Sequence, residues 1–192
     1  ALLLLAMCGW GLSRITTNYR IESNLPRGKK ITEDFLFFEE EFAGFRPMEI
    51  AVFTQGDYQA DDFEVLQEIA RVENFLQGIP TVQNIVSATA IYKSINQMYH
   101  QNRPEYYRLP EKESEFRRYG RLADKVPRAQ TSVFISREGD KARISTRVLD
   151  VGADSIKATG RRIDAWIAEN TDPSIATFQR TGTGLILDKN SE

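Results

Sequence analysis

The residues that could do chemistry in this chain are few, and their spacing favours no catalytic site. His100 is the only histidine and Cys8 the only cysteine. A catalytic triad or a metal site needs several convergent groups, and no motif places a serine, a cysteine or further ligands beside His100. Cys8 lies in an apolar run, where a thiolate is unfavourable. We therefore expect a surface or hydrogen-bonded histidine and no cysteine nucleophile.

A phosphate-binding loop and a pair of catalytic acids are also disfavoured. The segment 181–184 (T-G-T-G) follows an expected strand but lacks the lysine and the remaining glycine spacing of a P-loop. The segment after it is too short to supply a helix for the phosphate. Paired acids such as Asp61 and Asp62, or residues 39–41, are placed as helix caps and solvated faces. The sequence predicts no enzyme, no catalytic residue, no metal site and no cofactor.

A softer signal is a cluster of tyrosine and methionine side chains in the middle of the chain. Flexible aromatic surfaces that carry methionine suit apolar ligands. Ordinary packing beneath a loop would give the same composition. If the chain has a substrate site, we expect its lining to include Tyr92, Met98, Tyr99, Tyr106 and Tyr107.

Composition limits the partners more clearly than the fold. With 192 residues, 41% of them hydrophobic, the chain can bury one substantial core or two small ones. Its formal net charge of −2 creates no global field toward nucleic acid, so we expect no nucleic-acid partner. Charge is nevertheless uneven, because residues 33–64 are acidic and residues 103–128 are basic. These regions are either complementary docking surfaces between subdomains or protomers, or solvated helix faces.

The expected elements begin with a strand over Pro47–Gln55, which is apolar on both faces, as an internal strand of a covered sheet would be. A helix follows, opened by a capping box from Asp61 to Glu64 and ended by Gly78, and then a second strand over Thr81–Val86. These three elements form one β-α-β unit.

A second β-α-β unit is expected near the carboxyl end, after a helical insertion at residues 88–127. Alternating apolar residues over Thr131–Leu149 predict a β-hairpin that turns at residues 138–140 (E-G-D). A helix capped by Asp154 or Ser155 and a last strand over Ile175–Thr181 complete the unit.

The segment before the first strand predicts an amphipathic helix. Ile31, Phe35, Phe38 and Phe42 recur at helical spacing, and Gly44 closes the pattern. Burying four such side chains would contribute about 6–12 kcal/mol, so we expect this helix to pack against the sheet or another element.

Residues 1–12 (A-L-L-L-L-A-M-C-G-W-G-L) are uninterruptedly apolar and are followed by an exposed connector over residues 13–30. Twelve residues are too few to cross a bilayer, but they fit the end of a longer transmembrane helix. A buried core helix and a signal or lipoprotein segment with its lipid on Cys8 are the alternatives.

In this order the segments resemble the extracytoplasmic loop between the first two transmembrane helices of a resistance-nodulation-division (RND) superfamily exporter. The branch is that of the mycobacterial large membrane proteins (MMPL-like). The resemblance rests on the apolar run, on the entry N-Y-R-I-E-S-N-L-P, on F-L-F-F-E-E-E-F-A-G before the first strand, and on V-Q-N-I-V-S. The E-G-D turn and the final Thr181-Gly182 complete it.

The resemblance implies an α+β fold: a ferredoxin-like βαββαβ porter subdomain over residues 31–192, with an extra helical insertion and a leading amphipathic helix. The domain would face the periplasm or exterior at the bacterial inner (cell) membrane. It would belong to a proton-driven exporter of hydrophobic or lipid-like substrates. Expected partners are the second porter loop and membrane helices of the same transporter, a homo-oligomer, and a hydrophobic small molecule or lipid.

The family's proton-relay carboxylates lie in later membrane helices, so the resemblance assigns no ion-coupling residue to this chain. The alternative to the exporter is a membrane- or lipid-anchored extracytoplasmic ligand-binding or sensor domain.

Overall fold

Strand β1 (Arg46–Thr54) lies inside a four-stranded antiparallel sheet. The computed structural model describes residue 20, residues 24–42, residue 44 and residues 46–181. Ile50 and Val52 point into the core and are fully buried, whereas Ala51 and Phe53 on the opposite face stay partly exposed. The prediction of an internal strand is confirmed, but the expectation of a sheet covered on both faces is wrong.

The order of the strands in the sheet differs from their order in the sequence. β1 pairs antiparallel with β3 (Lys141–Val148) on one side and with β4 (Ala176–Thr181) on the other. β2 (Val82–Val86) pairs antiparallel with the outer side of β3, which gives the order β2-β3-β1-β4. Strands that are neighbours in the sheet are therefore distant in sequence.

β2 is irregular in its middle. Its register with β3 shifts between Gln83 and Val86, and Asn84 has a φ of 51°. Asparagine tolerates this left-handed conformation better than most residues, so the irregularity suits the sequence. The side chain of Asn84 leaves the strand and donates a hydrogen bond to the Phe42 carbonyl at 3.1 Å.

Two long helices join the strands and supply much of the core. α2 (Phe63–Gln77) connects β1 to β2, and α6 (Ala153–Asn170) connects β3 to β4. The predicted apolar stripe of α2 is confirmed, because all its members are fully buried: Val65, Leu66, Ile69, Val72 and Leu76. The described chain is thus an α+β protein with a four-stranded antiparallel sheet and six α-helices.

The helix starts differ from those expected. α2 begins after Asp62, which makes no side-chain cap; its carboxylate instead accepts a hydrogen bond from the Gln59 backbone N–H at 2.8 Å. The capping box of Asp61 and Glu64 is therefore wrong. α6 begins at Ala153, directly after Gly152, which has a φ of 93°. The predicted caps Asp154 and Ser155 therefore lie within the first turn of the helix and not before it.

The insertion between the two units is helical, as predicted. α3 (Thr89–Tyr99) is followed by a single 3₁₀ turn (Pro104–Tyr106) and by α4 (Glu113–Ala123). The two helices pack through Tyr92, Ile95, Phe116 and Tyr119, all of which are buried. The insertion is thus packed as a layer of helices that shares the main core.

The predicted hairpin is wrong in its first arm. Residues upstream of the turn form the short helix α5 (Arg128–Thr131), and a single bridge joins Ile135 to Ala142. The Ser136 backbone N–H donates to the Lys141 carbonyl at 2.9 Å, which closes the turn around Gly139. β2 pairs with the outer edge of β3 at Ser145, Arg147 and Val148, so a hairpin partner can pair only with the first half of β3, where Ile135 bridges to Ala142.

The leading helix α1 (Lys30–Glu41) has no buried residue, contrary to the expectation of a packed apolar stripe. Phe38 and Phe42 are 49% and 47% exposed. Polar contacts hold the end of this helix near the sheet: the Asp150 backbone N–H donates to Glu39 Oε1 at 2.5 Å. Helical spacing correctly predicted the apolar face but not what covers it.

Several sequence predictions lie outside the described residues: the membrane or signal assignment of residues 1–12, the cysteine at position 8, most of the connector at residues 13–30, and the glycine motif after Thr181. Within the described ranges, no helix has both the length and the apolar character needed to cross a membrane.

Candidate functional site

A cleft of about 680 Å³ opens between the insertion and the loops that flank the sheet. Its walls come from the start of α3, the end of α4, helix α5 and the turn around Gly139. The apolar part of the lining consists of Ala88, Ile91, Ala123, Val126, Ala129 and Ile135. The volume is in the range of small-molecule sites, which makes this cleft the principal candidate site.

Tyr92 forms part of the lining and is fixed by aromatic packing. Its ring stacks on Phe116 with centroids 4.2 Å apart and planes 10° apart, and Phe63 meets Phe116 edge-on at 5.2 Å. Tyr92 is only 7% exposed. Tyr92 and Ile95 lie on the buried side of helix α3, and the neighbouring Ile91 lines the cleft.

The hydroxyl group of Tyr92 finds no hydrogen-bond partner among the described residues. Burial raises the pKa of Tyr92 well above its usual value near 10, and the negative charges of Asp61, Asp124 and Asp62 raise it further. The phenol therefore keeps its proton at neutral pH and can both donate and accept a hydrogen bond toward the cleft.

The charged part of the lining contains both signs. Asp61 and Asp124 are exposed, as are Arg128 and Arg137. In the part of the chain that the structure describes, none of these four side chains forms an ion pair or a side-chain hydrogen bond. The cleft can therefore offer both its carboxylates and its guanidinium groups to a bound molecule.

The residues predicted to line a substrate site are divided by the structure. Tyr92 lies in the cleft, but Met98, Tyr99, Tyr106 and Tyr107 are not part of its lining. The side chains of Met98, Tyr99 and Tyr107 are about half exposed. The predicted set is thus one cleft residue and a separate exposed group, and its role in binding stays a prediction.

The exposed group is held by stacking and hydrogen bonds. Tyr99 stacks on Tyr119 at 5.0 Å, and Tyr106 stacks on His100 at 3.9 Å. His100 Nδ1 lies 2.8 Å from the Asn96 carbonyl oxygen, so this histidine is hydrogen-bonded, as expected from its lack of partner motifs. These contacts order the segment but leave its outer surface free.

Sequence reasoning missed Asn96, which organises this region. Its side chain is 4% exposed, and its amide donates to the carbonyls of Tyr106 and Arg108 at 3.1 and 3.0 Å. Its oxygen accepts from the Tyr119 hydroxyl at 3.0 Å. The only sequence signal was a polar residue on the apolar side of a helix, one position after Ile95.

A second candidate surface lies on α1. Five large apolar side chains there are 43–59% exposed, and we call them the α1 apolar face: Ile31, Leu36, Phe37, Phe38 and Phe42. Phe38 and Phe42 stack at 4.8 Å, and Phe37 meets both edge-on. The three phenylalanine rings form one contiguous apolar patch, which is typical of a surface that contacts another protein or a membrane.

A metal centre is not found where the structure describes the chain, because no three histidine, cysteine, aspartate or glutamate side chains converge there. No family model matches the sequence, and no curated protein matches it significantly.

Proposed function

We propose that this chain is the extracytoplasmic porter domain of a proton-driven RND-type membrane exporter of hydrophobic or amphiphilic molecules. The observation that carries the proposal is the pair of β-α-β units in one antiparallel sheet, combined with the order of sequence segments that resembles this family. The domain itself would be non-enzymatic and would act by conformational change around a substrate.

The strand order supports the finer description of the fold. The units β1-α2-β2 and β3-α6-β4 interleave in the order β2-β3-β1-β4 with all neighbours antiparallel. We propose that this is a ferredoxin-like βαββαβ arrangement, extended by the insertion of α3, α4 and α5 and by the leading helix α1.

The α1 apolar face supports the assignment to a larger assembly. Leaving five large apolar side chains half exposed in water is unfavourable, at roughly 25 cal/mol for each Å² of apolar surface. In the proposed exporter this face is covered by the rest of the same transporter, namely its second porter loop or the outer ends of its membrane helices. Its position before β1 places it on the segment that leads from the apolar residues 1–12 into the domain.

The cleft supports the substrate class. Its lining joins an apolar wall around Ile91 and Ile135 to charged side chains at the rim. A molecule with an apolar body and a polar group would use both parts. In the proposed function the exported molecule binds in this cleft during transport, and the exposed group around Tyr99 and Tyr107 is a second surface that it contacts.

Export can be tested with the full-length protein in a bacterial host that lacks its own drug exporters. We expect cells that produce the protein to accumulate less of an apolar dye such as Nile red, and a protonophore to abolish the difference. Equal accumulation with and without the protein, at confirmed expression, contradicts export of this class of molecule.

Orientation can be tested separately by cysteine labelling. Arg117 is highly exposed on α4, so Arg117→Cys in a background without other cysteines reports where the domain lies. A membrane-impermeant maleimide should label it in cells with a permeabilised outer membrane, as well as a permeant maleimide does. Labelling that requires lysis of the inner membrane rejects the proposal.

A diacylglyceryl group on Cys8, detected by mass spectrometry, would instead favour the lipid-anchored binding or sensor domain.

A further inference from the structure

We propose that the α1 apolar face binds a basic amphipathic helix, that is, a helix whose apolar stripe is flanked by lysine or arginine side chains. In the proposed exporter this helix would come from the same transporter, so the source of the partner rests on the proposed function. The chemistry of the contact depends only on the side chains of α1.

The apolar part of the surface is a cluster of three rings along α1. Phe38 stacks on Phe42 with centroids 4.8 Å apart, and Phe37 meets the two rings edge-on at 6.2 and 6.1 Å. The rings are 47–56% exposed, and no residue of α1 is buried. Packing among the rings thus leaves about half of each in water, and a second apolar surface would bury them further.

Two carboxylates share this side of the helix. Asp34 and Glu41 lie about two turns apart, so they point in nearly the same direction from α1. At about 100° per residue, that direction falls between those of Phe37 and Phe38. Both acids are exposed, and among the described residues neither forms an ion pair or a side-chain hydrogen bond. A surface that covers the rings therefore also meets two anionic groups, which favours a cationic partner.

The charge along the rest of α1 has the same sign. Residues 31–42 contain five acidic side chains and no lysine or arginine. Three of the acids are the consecutive glutamates 39–41 in the last turn, where the helix dipole favours cations. Glu39 accepts a hydrogen bond from the Asp150 backbone N–H, whereas Glu40 and Glu41 are exposed. A lysine or arginine of the partner at this end would be attracted by both the carboxylates and the dipole.

The same carboxylates disfavour a membrane as the occupant. Insertion of the rings into hydrocarbon would take Asp34 and Glu41 out of water without a compensating charge. The negative surface potential of an anionic lipid layer would repel them. A protein surface, in contrast, can place cations between its apolar side chains.

The geometry of α1 also selects the kind of protein segment. A strand binds through its backbone to a free sheet edge, but the backbone of α1 is hydrogen-bonded within its own helix. Contact must therefore be made by side chains, and a second helix lies along the first with its own stripe against it. Helix α4 of a second copy carries three arginines but does not offer that stripe, because Phe116 and Tyr119 are buried.

The test uses the full 192-residue protein and three fluorescently labelled peptides of about 21 residues. The first repeats L-K-K-L-L-K-L, which forms a basic amphipathic helix. The second, built on L-E-E-L-L-E-L, keeps the stripe and reverses the charge, and the third, built on S-K-K-S-S-K-S, keeps the charge without the stripe. In fluorescence anisotropy at pH 7 and about 0.15 M salt, we expect the leucine-lysine peptide to bind at least about tenfold more tightly than either control.

Charge variants locate the cationic contact. Asp34→Asn combined with Glu41→Gln should weaken the leucine-lysine peptide by about five- to tenfold and reduce the salt dependence of its binding. Asp57→Asn combined with Glu169→Gln is the matched control, because it removes two exposed acids outside α1 and gives the same net charge. The control should bind like the parent. All four positions are exposed, so unchanged circular dichroism spectra are expected.

Apolar variants locate the other half of the contact. Phe37→Ser combined with Phe38→Ser should weaken the leucine-lysine peptide by about tenfold or more, since it removes two of the three rings. Met98→Ser combined with Tyr107→Ser removes two side chains of similar exposure outside α1 and should leave the affinity unchanged.

Several results would overturn the inference. Equal affinity for the leucine-lysine and leucine-glutamate peptides would mean that α1 reads no charge, and binding that survives the α1 variants would place the peptide elsewhere. Tighter binding to phosphatidylglycerol vesicles than to the peptide, lost with the two phenylalanines, would make the face a membrane contact. Self-association in sedimentation that these variants abolish, without peptide binding, would make the occupant a second copy. Peptide binding that persists when export fails supports the inference and rejects only the exporter.

Discussion

Lys93 Nζ lies 2.5 Å from Glu73 Oε2, and this ion pair joins α3 to α2 with the two side chains only 12% and 2% exposed. The Thr89 hydroxyl donates to the same carboxylate at 2.8 Å. Charges in such a position must be paired, because removal of one partner leaves the other uncompensated in the protein interior. The ion pair thus anchors α3, the first helix of the insertion, to helix α2 of the main core.

We expect Lys93→Met to lower the free energy of unfolding by about 3–5 kcal/mol, because it leaves the Glu73 carboxylate buried without a cation. The matched control is Arg117→Met, which breaks the exposed pair of Arg117 with Glu113 and should cost less than about 1 kcal/mol. Urea unfolding followed by circular dichroism measures both. Equal losses of unfolding free energy in the two variants would show that the buried ion pair stabilises the fold no more than the exposed pair does.

Asn96→Ala should destabilise the protein by about 2–4 kcal/mol, because it removes hydrogen bonds to two buried or partly buried carbonyls and to the Tyr119 hydroxyl. The loss should be local as well as global. Hydrogen exchange should speed up at residues 103–109 more than in β1. Tyr119→Phe removes one of these bonds and should cost only about 1 kcal/mol. An unchanged exchange rate around Tyr106 would contradict this role of Asn96.

The stability of the protein should fall steeply above about pH 10, where an unfolded tyrosine begins to ionise. Burial and the nearby carboxylates raise the pKa of Tyr92 in the folded state. The contribution of Tyr92 is therefore complete below pH 10 and is lost as the pH rises from the unfolded toward the folded pKa. Tyr92→Phe should flatten this fall in urea unfolding curves, whereas Tyr107→Phe should not. Parallel curves for Tyr92→Phe and the parent would refute the shift.

The double variant Phe37→Ser, Phe38→Ser should lower the unfolding free energy by no more than about 2 kcal/mol, because both rings are about half exposed and lose mainly their contacts with each other and with Phe42. It should also reduce the binding of an apolar fluorescent dye and any self-association measured by sedimentation. As the buried control, Phe116→Ala should cost about 3–5 kcal/mol. A large loss of stability in the double variant would mean that the α1 apolar face is packed in solution.

The sequence predicted those parts of the fold that depend on local patterns. The apolar run of β1, the stripe of α2 from Val65 to Leu76 and the end of α2 at Gly78 are each set within a few residues. The hydrophobic period and the glycine that ends α2 act at this range, so both β-α-β units could be anticipated even though the predicted N-caps were wrong.

The errors have non-local causes. The arm of residues 131–136 alternates like a strand, but β2, which is far away in sequence, pairs with β3 from Ser145 onward and leaves only the first half of that edge to the arm. The spacing of Phe38 and Phe42 reveals an apolar face, yet exposure depends on which other surfaces reach it. The cleft combines Asp61, Tyr92, Asp124 and Arg137 from four separate segments, and no spacing rule connects them.

The bend at Asn84 has a consequence for how this protein meets other chains. A straight outer strand offers a ladder of free amides and carbonyls to any extended polypeptide, and thereby seeds aggregation. β2 is five residues long and loses its regular pairing in the middle, so that margin of the sheet is a poor template for a foreign strand. Asparagine at position 84 thus favours the irregular backbone that makes this edge a poor pairing partner for another strand.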